Sequence, residues 1–420
     1  MKRIHDILVV LLGLSITLVS EEYRILGLPL YDIITVLSGI AVVIFRPWQK
    51  SVMSKRFGLV LGLLVVTVVG IGAVSSLVGS SLITYDLQIG AVLRVISSLL
   101  LFSSVYLLLY RSDYRVRLVV SSLIVIAFYQ TAISVRHITS GLRYKGTFDD
   151  PNYFGVFLAA GLCILLSLVS GNQQKQRDRI FLFFLIGVLG ISLFMTFSRG
   201  SYLAAFGGIA VVLWVRLRKT TKRFIVAFGL LACVIIMSIP YMQRLPGFQR
   251  FADRLDIVEA VRSGGTGRVS IWRLAVFRIW ENPLGYGWGS EPFVLNGMVS
   301  HNLLIEVAIQ YGVLGAILVV LAFCTIIGGT LWMAYANDSD IDLGVAAAVI
   351  TVFIGGVSLN MFSVRQFWFF LAIGAASVDN LRRRLTRTSL PKSKLLSSRC
   401  QKHDAVAESG FDGFPDALDA

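Results

Sequence analysis

Charged residues are scarce in this chain. They make up 15% of 420 residues, against 56% hydrophobic and a mean hydropathy of +0.76. So little polar surface cannot cover a soluble globule of this length. Cysteine is nearly absent. Of the four, Cys163, Cys233 and Cys324 fall inside apolar runs and Cys400 in the C-terminal tail. None sits in an expected external loop, so neither a disulfide nor a cysteine metal site is expected. Histidine is as sparse: His5, His137, His301 and His403. Missing motifs narrow the chemistry. There is no Walker-type glycine-rich loop, no H-E-x-x-H, no G-x-S-x-G and no aspartate pair suited to a nucleotide-sugar metal. ATP, nucleotide sugar and a tightly held metal are therefore not expected at the working site, and no cofactor is expected. Strand-like alternation is missing too, which excludes a membrane barrel.

What is present is a series of apolar runs of roughly 17–22 residues, each long enough to cross ~30 Å of hydrocarbon as a helix. They predict an all-α integral membrane protein with about 12 transmembrane helices. The expected spans are 5–20, 25–45, 57–77, 89–110, 116–136, 152–170, 180–197, 201–215, 224–239, 313–335, 343–362 and 366–379. Met1-Lys2-Arg3 ahead of Ile7 to Val19 resembles a secretory signal. No small-residue cleavage site follows, so it reads as the first span. The formal net charge is +15. About two thirds of the basic residues fall on one set of short connections and on the tail, which places those segments and both termini in the cytoplasm. Basic residues so placed mark cytoplasmic loops rather than a nucleic-acid face, and no nucleic-acid partner is expected. The chain divides into a polytopic membrane domain, 1–379, and a cytoplasmic tail, 380–420, expected to be disordered.

One connection stands out. The segment at about 240–302, between spans 9 and 10, is a large outer loop with seven arginines: Arg244, Arg250, Arg254, Arg262, Arg268, Arg273 and Arg278. A loop this long between spans is rarely idle. Within it, Val269 to Trp280 has helical periodicity, with Trp272, Ala275, Val276 and Ile279 on one face. That pattern predicts a helix lying on the membrane surface, its tryptophans at headgroup level.

The outer segments hold the polar residues that chemistry needs. Ser198-Arg199-Gly200-Ser201 is a turn between two spans, so Arg199 sits at the membrane boundary; a snorkelling arginine would explain it equally well. Arg268 precedes Trp272 by four residues, which aims a guanidinium and an indole at one region. Taken alone, the plainer explanation of Arg268 is a solvated cation on an amphipathic helix. His301-Asn302 opens a helical stretch, Leu303 to Tyr311, just before a span. An unperturbed imidazole there would accept a proton near pH 7, and a helix-capping role is the plainer explanation. Arg143 to Asn152 forms an outer loop with two cations, Arg143 and Lys145. Its acids and Pro151 suit a helix N-terminus. Arg94 lies in the outer third of its span, where an arginine should face an anion or carbonyls.

Taken in order, these segments resemble one family. They are G-x-F-D-D-P-N-x-F-G (Gly146 to Gly155), F-S-R-G-S (Phe197 to Ser201), R-x-x-x-W (Arg268 to Trp272), N-P-L-G-x-G-W-G (Asn282 to Gly289), H-N-x-x-x-E (His301 to Glu306) and Y-G-x-x-G (Tyr311 to Gly315). The order and spacing resemble the O-antigen ligases and Wzy-type polymerases of bacterial envelopes, most firmly over about 140–335. The resemblance implies a C-type glycosyltransferase fold in the bacterial cytoplasmic membrane, with its active site on the periplasmic or outer face. The donor would be a polyprenyl-pyrophosphate-linked oligosaccharide and the acceptor a glycan or a lipid-linked glycan. Membrane lipid, a flippase and a chain-length regulator would be its other partners. The resemblance assigns catalytic roles to Arg199 and Arg268, which would hold the pyrophosphate, and to His301, which would assist the acceptor. Arg143, Lys145, Asn152, Trp272, Asn302 and Arg94 are the expected substrate contacts. No metal is expected, and direct attack would invert the anomeric centre.

The residues leave rivals open. Many spans would also suit a transporter, although a transporter carries its polar site near the midplane and these polar groups lie outside. A lipid-linked sugar flippase would need a polar cavity through the membrane. A peptidoglycan polymerase would rely on an external carboxylate rather than His301. Between polymerase and ligase to a lipid A core, the modest outer loop favours the polymerase.

Overall fold

The computed structural model describes residues 2–15, 24–25, 28–29, scattered positions between 33 and 42, 54–79, 85–135, 143–148, 150–171, 176–217, 268–362 and 364–389. Most of the expected span 25–45, the span 224–239, the first part of the outer loop and the tail beyond 389 lie outside the described residues. The elements are α1 (Lys2–Ser15), β1 (Arg24–Ile25), β2 (Leu28–Pro29), α2 (Lys55–Val78), α3 (Tyr85–Leu109), α4 (Asp113–Ser134), α5 (Pro151–Ser170), α6 (Gln176–Met195), α7 (Arg199–Leu217), α8 (Arg268–Glu281), α9 (Glu291–Val294), α10 (Leu303–Ala336), α11 (Asp340–Val357) and α12 (Arg365–Ser389).

Among the described residues, eight helices are long and apolar enough to cross a membrane: α2 to α7, α10 and α11. The chain is a multi-pass helical membrane protein. These eight coincide with eight of the twelve expected spans. α1 is 14 residues long where described, and α12 ends in a run of arginines that lowers its hydropathy. At the second expected span, a tight antiparallel pair, Arg24 with Pro29 and Ile25 with Leu28, occupies the start, and the described helical positions begin at Ile33. α12 also runs past the expected domain boundary at 379. Its basic end is held by partners: Arg384 bridges Asp342 at 3.1 Å and Asp113 at 3.6 Å.

The helices start where capping chemistry places them. Asp150 accepts from the Asn152 amide at 2.6 Å with Pro151 at the first helical position of α5. Ser112 caps α4, and Ser339 caps α11. α5, α7 and α11 pack on one another as the inner group, and 83% of the α5 span is buried inside the protein. Small residues allow this closeness: a Cβ at Gly208 of α7 would meet Cys163 of α5 and Thr351 of α11. An aromatic wedge at the start of α12, Phe367 and Trp368, seats against Phe323 of α10 and Phe102 of α3.

α10 is two helices joined at a break. Gly312 has φ 70° and ψ −177°, a conformation open to glycine alone. A break orphans backbone groups, and the loop 282–289 takes them up. The amides of Tyr286 and Gly287 donate to the carbonyls of Ile309 and Gln310, at 2.8 and 3.0 Å, and the Val313 amide donates to Pro283 at 2.9 Å. This is the physical content of N-P-L-G-x-G-W-G and Y-G-x-x-G: one motif mends the other. The same loop docks on α2. Trp288 donates its indole N–H to the Val68 carbonyl at 2.9 Å, inside a π-helical turn at Val66–Ile71, and its amide donates to Ser76.

Gly312→Ala is therefore expected to destabilise the protein. The backbone strain alone is on the order of 1–3 kcal/mol, and the new Cβ would overlap the Pro283 carbonyl oxygen. Gly328→Ala is the control, because a Cβ there meets nothing within 4 Å on the same helix. Thermal unfolding in detergent should show a clear loss for the first and none for the second. Equal melting of the two variants would remove the break from the fold's requirements.

Candidate active site

Four chain entries to helices meet at one end of the bundle: the loop before α5, the turn before α7, the start of α8 and the turn before α10. Arg143 ties the first two. Its Nε donates to the Thr196 carbonyl at 2.7 Å, and one terminal nitrogen donates to Asn152 Oδ1 at 2.9 Å and to the Phe197 carbonyl at 3.4 Å. The loop is also laced to α4, where Gln130 accepts from the Thr147 amide at 2.9 Å and Ser134 from the Gly146 amide at 2.8 Å. Phe197 takes φ 49°, which turns the chain so that Ser198 caps α7 through the Ser201 amide. Ser201 then donates to the Asn152 carbonyl at 3.0 Å. The outcome is Arg199 exposed at the first turn of α7, where the amides already favour an anion.

Arg268 and His301 face this point. Burial, then the neighbouring Arg199 guanidinium, push Arg268 below the usual arginine value, and Asp150 opposes them. Burial, then Arg268, push the His301 imidazole below its ordinary 6.5, and again Asp150 opposes them. Arg199, Arg268, His301 and Asp150 thus form one electrostatic group. The lowered pKa favours the neutral imidazole of His301. Among the described residues, no group of three or more His, Cys, Asp and Glu side chains is placed to hold a metal ion.

His301 itself sits at φ 50°, a left-handed conformation costly for a histidine. Its neighbours hold it there. The buried Ser300 donates its amide to Glu291 Oε1 at 2.8 Å, and its carbonyl accepts the Trp272 indole N–H at 2.8 Å. On the other side, the Asn302 amide donates to Asn360 Oδ1 at 3.0 Å. Asn360 in turn donates to Glu291 Oε2, closing a ring of bonds around the turn. Asn302 spends its own side chain on the α10 cap, accepting from Leu304 and Ile305 and donating to the Val357 carbonyl at 3.1 Å. Glu291 is only 3% exposed. Burial raises its pKa, and the bonds from Ser300 and Asn360 pull it back.

The expected site residues therefore divide. Arg199, Arg268 and His301 come together. Arg143, Asn152, Trp272 and Asn302 lie around them but are bonded within the protein, where they position the turns. Lys145 is exposed on the first loop. Arg94 is exposed on α3 and is not among the charges acting on His301 or Arg268. The helix α8 forms as expected, and its packed face keeps Ala275 and Ile279 of the expected one and takes Ile271 and Leu274 rather than Val276. Ile271, Leu274, Ala275 and Ile279 pack with Val294, Leu295 and Ile309, while Val276, Phe277 and Trp280 are exposed. Sequence reasoning missed Glu291 and Asn360. It read Asp150 only as a helix start, which it is, and not as the acid beside His301.

Residues 180–320 match the family described as O-antigen ligase (Wzy_C), a stretch running from α6 into α10 and containing Arg199, Arg268 and His301. The chain is also similar to the teichuronic acid biosynthesis protein TuaE of Bacillus subtilis (strain 168), 22% identical over 305 residues. That alignment covers 64% of this chain and 61% of the relative's length. The matched stretch carries Arg199, Arg268 and His301, and over it the chain is similar to the O-antigen ligase family.

Proposed function

We propose that this protein is a metal-independent, inverting glycosyltransferase that polymerises polyprenyl-pyrophosphate-linked oligosaccharides on the outer face of the cytoplasmic membrane. The observation that carries the reading is the gathering of Arg199 and Arg268 beside a neutral His301. In the reaction, the acceptor hydroxyl attacks the anomeric carbon, and the bond from that carbon to the pyrophosphate oxygen breaks. The pyrophosphate leaves with the electron pair. Its developing charge meets two guanidiniums, which bind phosphate oxygens in planar forks and stay charged. At a partly dehydrated membrane boundary that attraction exceeds its value in water. The hydroxyl proton passes to His301. Attack opposite the leaving group inverts the anomeric centre. The named role of the relative in teichuronic acid biosynthesis supports a polysaccharide as the product.

The first test is sidedness. Cysteines at the exposed positions 145 and 199 should react with a membrane-impermeant maleimide applied to intact cells. Reaction from the cytoplasmic side alone would sink the proposal, because the lipid-linked donor is consumed outside. The second is turnover in proteoliposomes with purified lipid-linked repeat, read as glycan chain length. A donor transferred once to a non-lipid acceptor, with no elongation, would make the enzyme a ligase.

A further inference from the structure

At the far end of the bundle a second cationic site lies open. Arg56 begins α2, roughly 30 Å along that helix from the serines and glycines that hold the 282–289 loop. Its guanidinium rests beside Gly329 of α10. Arg382 of α12 stands over the Trp332 ring with 5.0 Å to the centroid, and its Nε is buried without a hydrogen-bond partner. The two arginines are close enough to repel one another, with Asp379 as the nearby acid. Asp379 is already engaged, accepting from the Tyr106 hydroxyl at 2.6 Å.

Between these helices runs a shallow, half-open cleft lined by Arg56 and Asp379 and by the apolar Phe57, Val60, Ile326 and Val378. Two cations against one acid leave a net positive charge of about one, which a single phosphodiester neutralises and a zwitterionic headgroup does not. The apolar walls match a hydrocarbon chain. We infer that α2, α10 and α12 form a binding site for one anionic glycerophospholipid of the leaflet opposite His301, with its phosphate between Arg56 and Arg382 and one acyl chain lying against the apolar cleft.

The experiment uses the full chain in nanodiscs of phosphatidylcholine, doped with phosphatidylglycerol or phosphatidylcholine brominated on the acyl chains. Trp332 is the reporter, isolated as the difference between the wild type and Trp332→Phe, which keeps a ring beneath Arg382. Brominated phosphatidylglycerol should quench Trp332 at about tenfold lower mole fraction than brominated phosphatidylcholine. Arg56→Gln with Arg382→Gln should abolish that preference. Equal quenching by the two lipids in the wild type overturns the site without any variant, so a misfolding double variant does not shelter it. Preference retained in a folded double variant overturns it as well. If the acidic end of this chain fills the cleft instead, the wild type will show no preference and removal of residues 390–420 will create one, which also overturns the lipid assignment.

Discussion

Replacing His301 with alanine is expected to cut glycan transfer by about 10²–10⁴-fold, the usual worth of a positioned base. Donor binding should persist, because in the proposed mechanism Arg199 and Arg268 would hold the pyrophosphate from other elements. The pH dependence identifies the group. Burial and Arg268 hold the imidazole below 6.5, so it is already neutral at pH 7 and the rate should fall only on acidification below that value. Asp150 works the other way, favouring the imidazolium. Asp150→Asn removes that carboxylate, lowers the histidine's pKa further and moves the acid limb to lower pH. Asparagine caps a helix as well as aspartate does, so α5 should survive the change. Transfer by purified protein in proteoliposomes, measured across pH for both chains, checks this. An acid limb that moves to higher pH in Asp150→Asn would show that some other group carries the profile, and unchanged turnover in His301→Ala would return His301 to the role of an interfacial turn residue.

Arg199→Ala should be nearly as damaging, with a loss of about 10²–10³ in kcat/KM, comparable to removing one donor from an oxyanion site. The mutual repulsion of Arg199 and Arg268 makes the argument specific. Like charges held side by side are relieved when a pyrophosphate bridges them, so each arginine contributes to binding through the other. Arg199→Lys keeps the charge and loses the planar fork, and it should recover only part of the activity. Binding of lipid-linked donor and glycan chain length in cells are the two measurements. Wild-type chain length with Arg199→Ala would remove Arg199 from the site.

Legibility in the sequence followed the range of the interaction. The break in α10 was readable, since a helical stretch to Tyr311 and a span from 313 bracket Gly312, the one described residue of that element with non-helical angles. Capping chemistry is local, and Asp150 with Pro151 announced α5. The burial of Glu291 was not readable. It sits in a four-residue helix, and its partner Asn360 lies 69 positions away, so nothing nearby in the chain reports the pairing. Only half of the face of α8, Ala275 and Ile279, was legible, for a related reason. Residues 271–280 are apolar on more than one side, so the partner decides which side is buried, and Val294, Leu295 and Ile309 chose Leu274 over Val276. Arg268, Arg199 and His301 each carried a plain alternative as residues, the resemblance grouped them by role, and the folding of four chain segments brings them to one point.

The π turn in α2 has the character of a phase shift. An α-helix advances about 100° per residue, so one extra residue in a single turn rotates everything beyond it by about that angle. Gly72, Ser75, Ser76 and Gly79 meet the 284–288 loop in the rotated phase, and the widened turn leaves the Val68 carbonyl free to receive Trp288. Deleting any one residue from 66–71 would let α2 close into an uninterrupted α-helix, more regular in itself. The same deletion keeps the docking face in phase, because the straight helix then turns as far as the wide turn did, but it closes the ladder over the Val68 carbonyl and costs Trp288 that bond. The irregular turn works as a gear tooth: with the sequence unchanged, its presence sets which way the second half of the helix faces, and so which side meets Trp288.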